Sequence, residues 1–208
     1  MLLRCRPFSL ANWERKNTFL NFRDYPMPYL VIGANLEIGS AYTRLKEAGA
    51  SPFLWTVHCA SRAANENLPF RLRIREGDLV EHERVHPSFT VPDGEEAFGL
   101  RRAPFVEDFG EFQSLAQAAP RLNFSPQSDQ IGEDHWIFLS CMPWIHFSHV
   151  VQPVSPDTAS IPRVIWGKLR DGRLPISVQV HHGLMDGLHV GRFLSRLEEL
   201  LSDDKSLE

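Results

Sequence analysis

The stretch that most constrains this chain is Ser177-Val178-Gln179-Val180-His181-His182-Gly183-Leu184-Met185-Asp186-Gly187-Leu188-His189-Val190-Gly191-Arg192-Phe193. Its first part alternates with the period of a strand, which puts Ile176, Val178, Val180 and His182 on one face and Ser177, Gln179 and His181 on the other. Its second part sets Val190, Phe193, Leu194, Leu197 and Leu201 at the spacing of one helix face, with Asp186 where an N-cap belongs. On the buried row His182 would be desolvated, which favours the neutral imidazole that a general base needs.

At 208 residues the chain fits one domain, 1–208, large enough to bury a core without staples. A formal charge of −4 and the lack of a Lys/Arg run disfavour nucleic acid. No apolar run approaches a membrane span, and charge and Pro7 interrupt the N-terminus before a signal core can form. Cys5, Cys59 and Cys141 have neither a CxxC spacing nor a disulfide framework, so free thiols and a cytoplasmic location are expected.

Along the chain, helices are expected over Asn12–Phe22 (with Arg15 inside), Ile38–Ala48, Pro52–Asn65 and Glu107–Ala118. Strands are expected over Pro28–Ile38, Phe70–Glu83 as a hairpin, Ser88–Val91, Ala97–Arg102, Trp136–Met142 and Trp144–Val150. Val164–Trp166 and Leu174–Val180 form a further hairpin around Asp171-Gly172. Arg71, Arg73 and Arg75 read as a solvated strand face opposite Glu81 and Glu83, and His58 as a capped or partly exposed histidine. Asn123–Glu133 and Val151–Pro162 read as loops, and the tail after Ser202 as frayed.

His181-His182-x-x-x-Asp186-Gly187 with its flanks resembles the signature of the trimeric chloramphenicol acetyltransferases. Asn12–Lys16, Val85–Val91 and Leu139–Phe147 are similar to the same family in the same order, so the likeness spans nearly the whole chain. The resemblance implies an α/β fold of the CoA-dependent acyltransferase type, a two-layer α+β sandwich with helices on one face of a mixed sheet. It also implies acetyl-CoA as co-substrate, no metal, a hydroxylated small-molecule acceptor, and a homotrimer with active sites between subunits. In this family His182 would be the general base and Ser140 the oxyanion-stabilising hydroxyl, with Arg15 and Asp186 an ion pair that fixes the turn.

The acceptor pocket implied by the resemblance contains Phe22, Phe98, Trp144 and Ile165. At Phe22 the chloramphenicol-acting enzymes usually place a tyrosine, and at Ile165 a threonine, so two hydroxyls that help hold the drug and a water are missing, and discrimination falls with them. Three other readings stay open: a related acyltransferase with another hydroxyl or amine acceptor, an inactive ligand-binding relative, and a metal-binding or structural trimer built on His146, His149, His181, His182 and His189. The last lacks a compact ligand spacing. A dihydrolipoyl acyltransferase core shares the short motif, but no lipoyl module or Ala/Pro-rich linker precedes it here.

Overall fold

The computed structural model describes residues 4–123 and 133–203. In chain order it contains β1 (Cys5–Pro7), α1 (Lys16–Phe22), β2 (Tyr29–Glu37), α2 (Ala41–Glu47), α3 (Pro52–Asn65), β3 (Leu72–Arg75), β4 (Asp78–His82), β5 (His86–Asp93), β6 (Ala97–Arg102), α4 (Phe109–Ala118), β7 (Trp136–Met142), β8 (Arg163–Gly167), β9 (Arg173–His181) and α5 (Gly187–Ser202). Most of the loop expected over Asn123–Glu133, and the tail beyond Asp203, lie outside the described residues.

A six-stranded mixed sheet has the order β2-β9-β8-β7-β5-β6. Its β5, β7 and β8 run parallel, and the other neighbours pair antiparallel. A smaller antiparallel sheet, β1-β4-β3, stands apart from it. One face of the large sheet is apolar because a cross-strand row, Phe89, Leu139, Val164 and Val178, points the same way, and all four are buried. Helices α3 and α5 pack on each other and on strands of the large sheet. Burying a large apolar side chain contributes about 1.5–3 kcal/mol, which makes this row the main anchor of the two layers.

Helix α3 begins where the sequence places it: Ser51 accepts the Leu54 N–H at 3.3 Å and Pro52 occupies the first turn. Helix α5 is one-sided, burying Val190, Phe193, Leu194, Leu197, Leu200 and Leu201, and Phe193 stacks on Phe70 with centroids 4.4 Å apart. Truncating Phe193 to Ala would cost about 3–5 kcal/mol. The β8–β9 hairpin closes at Asp171 and Gly172, both with positive φ (50° and 76°), as a primed turn requires.

The opposite face of the large sheet is polar. Ser88, Phe138, Arg163 and Gln179 form one cross-strand row, and Ser140, Ile165 and Ser177 form part of the next. The chain after β7 crosses this face. Trp144–Val150 was expected as a strand but forms none: Trp144 is 63% exposed, and the segment runs over the sheet at backbone contact. Two glycines permit that approach, since a Cβ at Gly33 would strike the Ser148 carbonyl and one at Gly167 would lie 2.5 Å from the Ile145 oxygen. Ser177 and Gln179 tie the segment down through hydrogen bonds to the backbones of Val150 and Gln152.

Three other expectations need correction. Arg73 is fully buried rather than solvated, its guanidinium donating to the carbonyls of Phe70, Leu72, Asp134 and Trp136. Arg71 bonds Glu81 at 2.9 Å and Arg75 bonds Asp134 at 2.6 Å, so of the three arginines only Arg71 meets the expected partner. His58 is buried among Phe105, Phe109 and Phe112 with Nε2 at 3.0 Å from the Val106 oxygen, because α3 is covered on nearly every side.

Candidate active site

Strand β9 ends at His181, one residue before the expected continuation. There the chain turns, with the N–H groups of Leu184 and Met185 both reaching the His181 carbonyl, so His182 leaves the buried row and is half-exposed. Its ring is nonetheless fixed. Nδ1 lies 3.0 Å from the Met185 carbonyl oxygen, and because a carbonyl only accepts, Nδ1 is the donor, which in the neutral ring puts the lone pair on Nε2. Phe22 packs on the imidazole at a centroid distance of 4.3 Å.

Arg15 braces the turn from below. It sits at the N-cap of α1, not inside a longer helix, because residues 11–15 are turns that precede it. Its Nη2 donates to the His182 carbonyl at 2.9 Å, its Nε to the Leu184 carbonyl at 3.2 Å, and its Nη1 to the Asp186 carboxylate. Asp186 also caps α5, accepting the Leu188 N–H at 3.0 Å, and lies 2.7 Å from His189 Nδ1. Burial alone would push the Asp186 carboxyl up; the His189 hydrogen bond and the Arg15 charge outweigh it and hold the carboxyl below its ordinary range.

Ser140 lies on the polar face of β7, its Oγ 2.8 Å from Thr90 Oγ1. In register it pairs with Ile165, which is buried. A cavity of about 300 Å³ opens beside it, lined by Ser88, Thr90, Leu100, Phe138 and Gln152 among others. Phe98 and Trp144 meet at the adjacent end of the sheet with centroids 6.3 Å apart, both exposed.

The expected residues therefore fall into two groups. His182, Phe22, Arg15 and Asp186 form one; Ser140, Ile165, Phe98 and Trp144 belong to the other. Ser140 pairs with Ile165 and Ile165 with Ser177, while His182 stands five positions past Ser177. Two strand spacings and four residues of strand rise put the Cα atoms of Ser140 and His181, the last residue of β9, roughly 17 Å apart within one chain, and His182 follows in the turn beyond.

Around the first group, His181 is buried and its Nδ1 accepts the Gly183 N–H at 3.1 Å. Burial, then the neighbouring His182, pulls its pKa down to about 4. Sequence reasoning missed a second buried cluster, His82, His86 and His135 beside Asp134. Cys5, Cys59 and Cys141 are free, and burial pushes the Cys141 thiol up to about 12, which removes it as a thiolate nucleophile near neutrality. Among the described residues no group of three or more His, Cys, Asp or Glu side chains is placed to hold a metal ion, and no helix is long and apolar enough to cross a membrane.

A sequence profile described as chloramphenicol acetyltransferase matches residues 6–198. The chain belongs to the chloramphenicol acetyltransferase family. Relatives within it include the chloramphenicol acetyltransferase of Streptomyces acrimycini, 28% identical in an alignment that covers 95% of this chain and 94% of the relative. That of Klebsiella sp is 26% identical over 201 residues, 91% and 90% of the two chains. A solved chloramphenicol acetyltransferase superposes with a TM-score of 0.84 at 30% identity, covering 95% of this chain and all of the other. The cubic core of the pyruvate dehydrogenase complex, 17% identical with a TM-score of 0.58, shares the fold. As a chloramphenicol acetyltransferase family member the chain is an acyl-transferring enzyme. Its family motifs fall at the start of α1, along β5, along β7 and its crossing segment, and from β9 into α5, the elements that border the two groups.

Proposed function

We propose that this enzyme transfers the acetyl group of acetyl-CoA directly to a hydroxyl of a small molecule, with chloramphenicol the acceptor its relatives' name suggests. The observation that carries the reading is the hydrogen bond from His182 Nδ1 to the Met185 carbonyl, which in the neutral ring leaves Nε2 as the acceptor nitrogen. His182 Nε2 takes the acceptor's hydroxyl proton as that oxygen attacks the thioester carbonyl. Ser140 donates to the oxyanion that develops. The C–S bond then breaks, and His182 returns its proton to the departing thiolate. Arg15 and Asp186 position the turn and move no proton.

Since His182 and Ser140 of one chain are too far apart to share a substrate, the working site combines His182 and Phe22 of one copy with Ser140, Ile165, Phe98 and Trp144 of another. A homotrimer acting in the cytoplasm, where the free cysteines stay reduced, fits this arrangement. A second reading, a different hydroxylated acceptor, is supported by the apolar Phe22 against the His182 ring and Ile165 beside Ser140.

The test is CoA release from acetyl-CoA with chloramphenicol and with a panel of alcohols, for the wild type and His182→Ala. The reading predicts turnover that His182→Ala abolishes while CoA binding persists. Equal turnover by the variant would refute the assigned base.

A further inference from the structure

In the cavity beside Ser140, the Thr90 and Ser140 hydroxyls bond each other at 2.8 Å. Ser88, two residues before Thr90 and on the same face of β5, is 1% exposed, and its Oγ has no hydrogen-bond partner among the described residues. Gln152, on the crossing segment, is pinned by its backbone: its N–H donates to Gln179 Oε1 at 2.8 Å and its carbonyl accepts from Gln179 Nε2 at 3.2 Å. Its own amide nitrogen, Nε2, is buried and likewise unbonded among the described residues. Both residues line the cavity.

A buried donor that bonds nothing has lost its hydration without compensation, and a ligand that bonds it recovers that cost. An amide nitrogen only donates, so the group that answers Gln152 Nε2 must accept, and the Ser88 hydroxyl can donate to the same kind of group. The strand register sets the distance. Ser88 pairs with Phe138 across β5 and β7, and Ser140 follows two residues along β7, so Ser88 stands diagonal to Ser140, roughly 7–8 Å away. One benzene ring carrying a hydroxymethyl group and an oxygen-bearing group in para positions covers that span. Leu100, Phe138 and Pro153 add apolar wall to the cavity, which suits a hydrocarbon spacer.

Resting on the acetyl-transfer reading above, we propose that the acceptor alcohol carries a second oxygen group that accepts hydrogen bonds, of the carbonyl, nitro or sulfonyl class, and that Ser88 and Gln152 donate to it. These two residues then determine specificity, selecting the acceptor at the end remote from its reacting hydroxyl.

The experiment compares two alcohols of matched shape on the full chain with acetyl-CoA: 4-(methylsulfonyl)benzyl alcohol and 4-tert-butylbenzyl alcohol, in which methyl groups replace the accepting oxygens. The expected result is a kcat/KM for the sulfone roughly tenfold or more above that of the hydrocarbon. Ser88→Ala and Gln152→Leu should each lower the sulfone-to-hydrocarbon ratio several-fold. Comparing that ratio between wild type and variant cancels the intrinsic reactivity of the two alcohols, and two separate substitutions guard against one that fails to fold. A hydrocarbon turned over as well as the sulfone, or a ratio unchanged in a folded variant, overturns the proposal and leaves acetyl transfer standing. Turnover of neither alcohol overturns acetyl transfer to them. In that case the thermal midpoint decides the site separately: a larger rise with the sulfone than with the hydrocarbon supports it, and equal shifts overturn it.

Discussion

Arg15 donates to the backbone carbonyl of His182 at 2.9 Å and, with the same guanidinium, to the Asp186 carboxylate. One side chain from the start of α1 thus fixes both ends of the turn that presents the imidazole. The planar fork of arginine makes these bonds together, and a lysine cannot. Arg15→Lys is expected to lower kcat by about 10–100-fold with KM little changed, because misplacement of a reacting group is costly. Steady-state kinetics beside a thermal melt separates this from unfolding, and an unchanged kcat would contradict the positioning role.

The Thr90 and Ser140 hydroxyls are 2.8 Å apart. If Thr90 donates to Ser140, the Ser140 proton is free to point at a developing oxyanion. Ser140→Ala should then reduce kcat by about 10²–10³-fold, the usual loss for one such donor. Thr90→Val should reduce it less, by roughly tenfold, and the double variant should lose no more than Ser140→Ala alone, since Thr90 acts through Ser140. Additive losses would show that the two hydroxyls act separately.

Acid should destabilise the fold well above the carboxylate range. Burial pulls His86, His135 and His181 each to about 4 and lowers His82 as well. Unfolded histidines protonate near 6.5, so between pH 6.5 and 4 the unfolded chain binds more protons and stability falls as pH falls. The limiting slope is about 1.4 kcal/mol per pH unit for each histidine. Arg73, Arg75 and Arg84 oppose protonation in the His82–His86–His135 cluster, and the Asp134 carboxylate bonded to His82 favours it. Urea midpoints should drop steeply from pH 6.5 to 4.5, and His135→Gln should flatten the slope. A flat profile would contradict neutral burial.

Gly33 tests the covering of the polar face. A methyl group there would displace the Ser148 carbonyl and release the segment that Ser177 and Gln179 hold. Gly33→Ala should lower stability by about 1–3 kcal/mol or more, as overpacking does, seen as a fall in the denaturant midpoint. An unchanged midpoint would show that the segment is loosely held.

Much of the two-layer fold was legible in the residues. The helix expected from Pro52 begins there, Asp171-Gly172 marked the hairpin, and the alternation of Ile176, Val178 and Val180 marked the core face. What escaped was set by tertiary contact. Trp144–Val150 is as apolar as a strand, yet it crosses a sheet whose backbone Gly33 and Gly167 leave bare; a glycine within each flanking strand pattern was the available signal. The alternation carried His182 one residue too far, because the turn bonds to the His181 carbonyl take over there. Arg73 kept its period but not its exposure, since four backbone carbonyls around it satisfy a buried cation. The pairing of Arg15 with Asp186 came only from resemblance, as no local pattern links residues so distant in sequence.

The proposed site brings an imidazole and a serine hydroxyl together from two copies of the chain. Co-expression of His182→Ala with Ser140→Ala chains, each inactive or nearly so alone, examines this directly, because a mixed trimer restores a site wherever an intact His182 faces an intact Ser140. Random assembly should recover roughly a quarter of wild-type turnover. Mixed trimers no more active than either variant alone would contradict a site shared between chains.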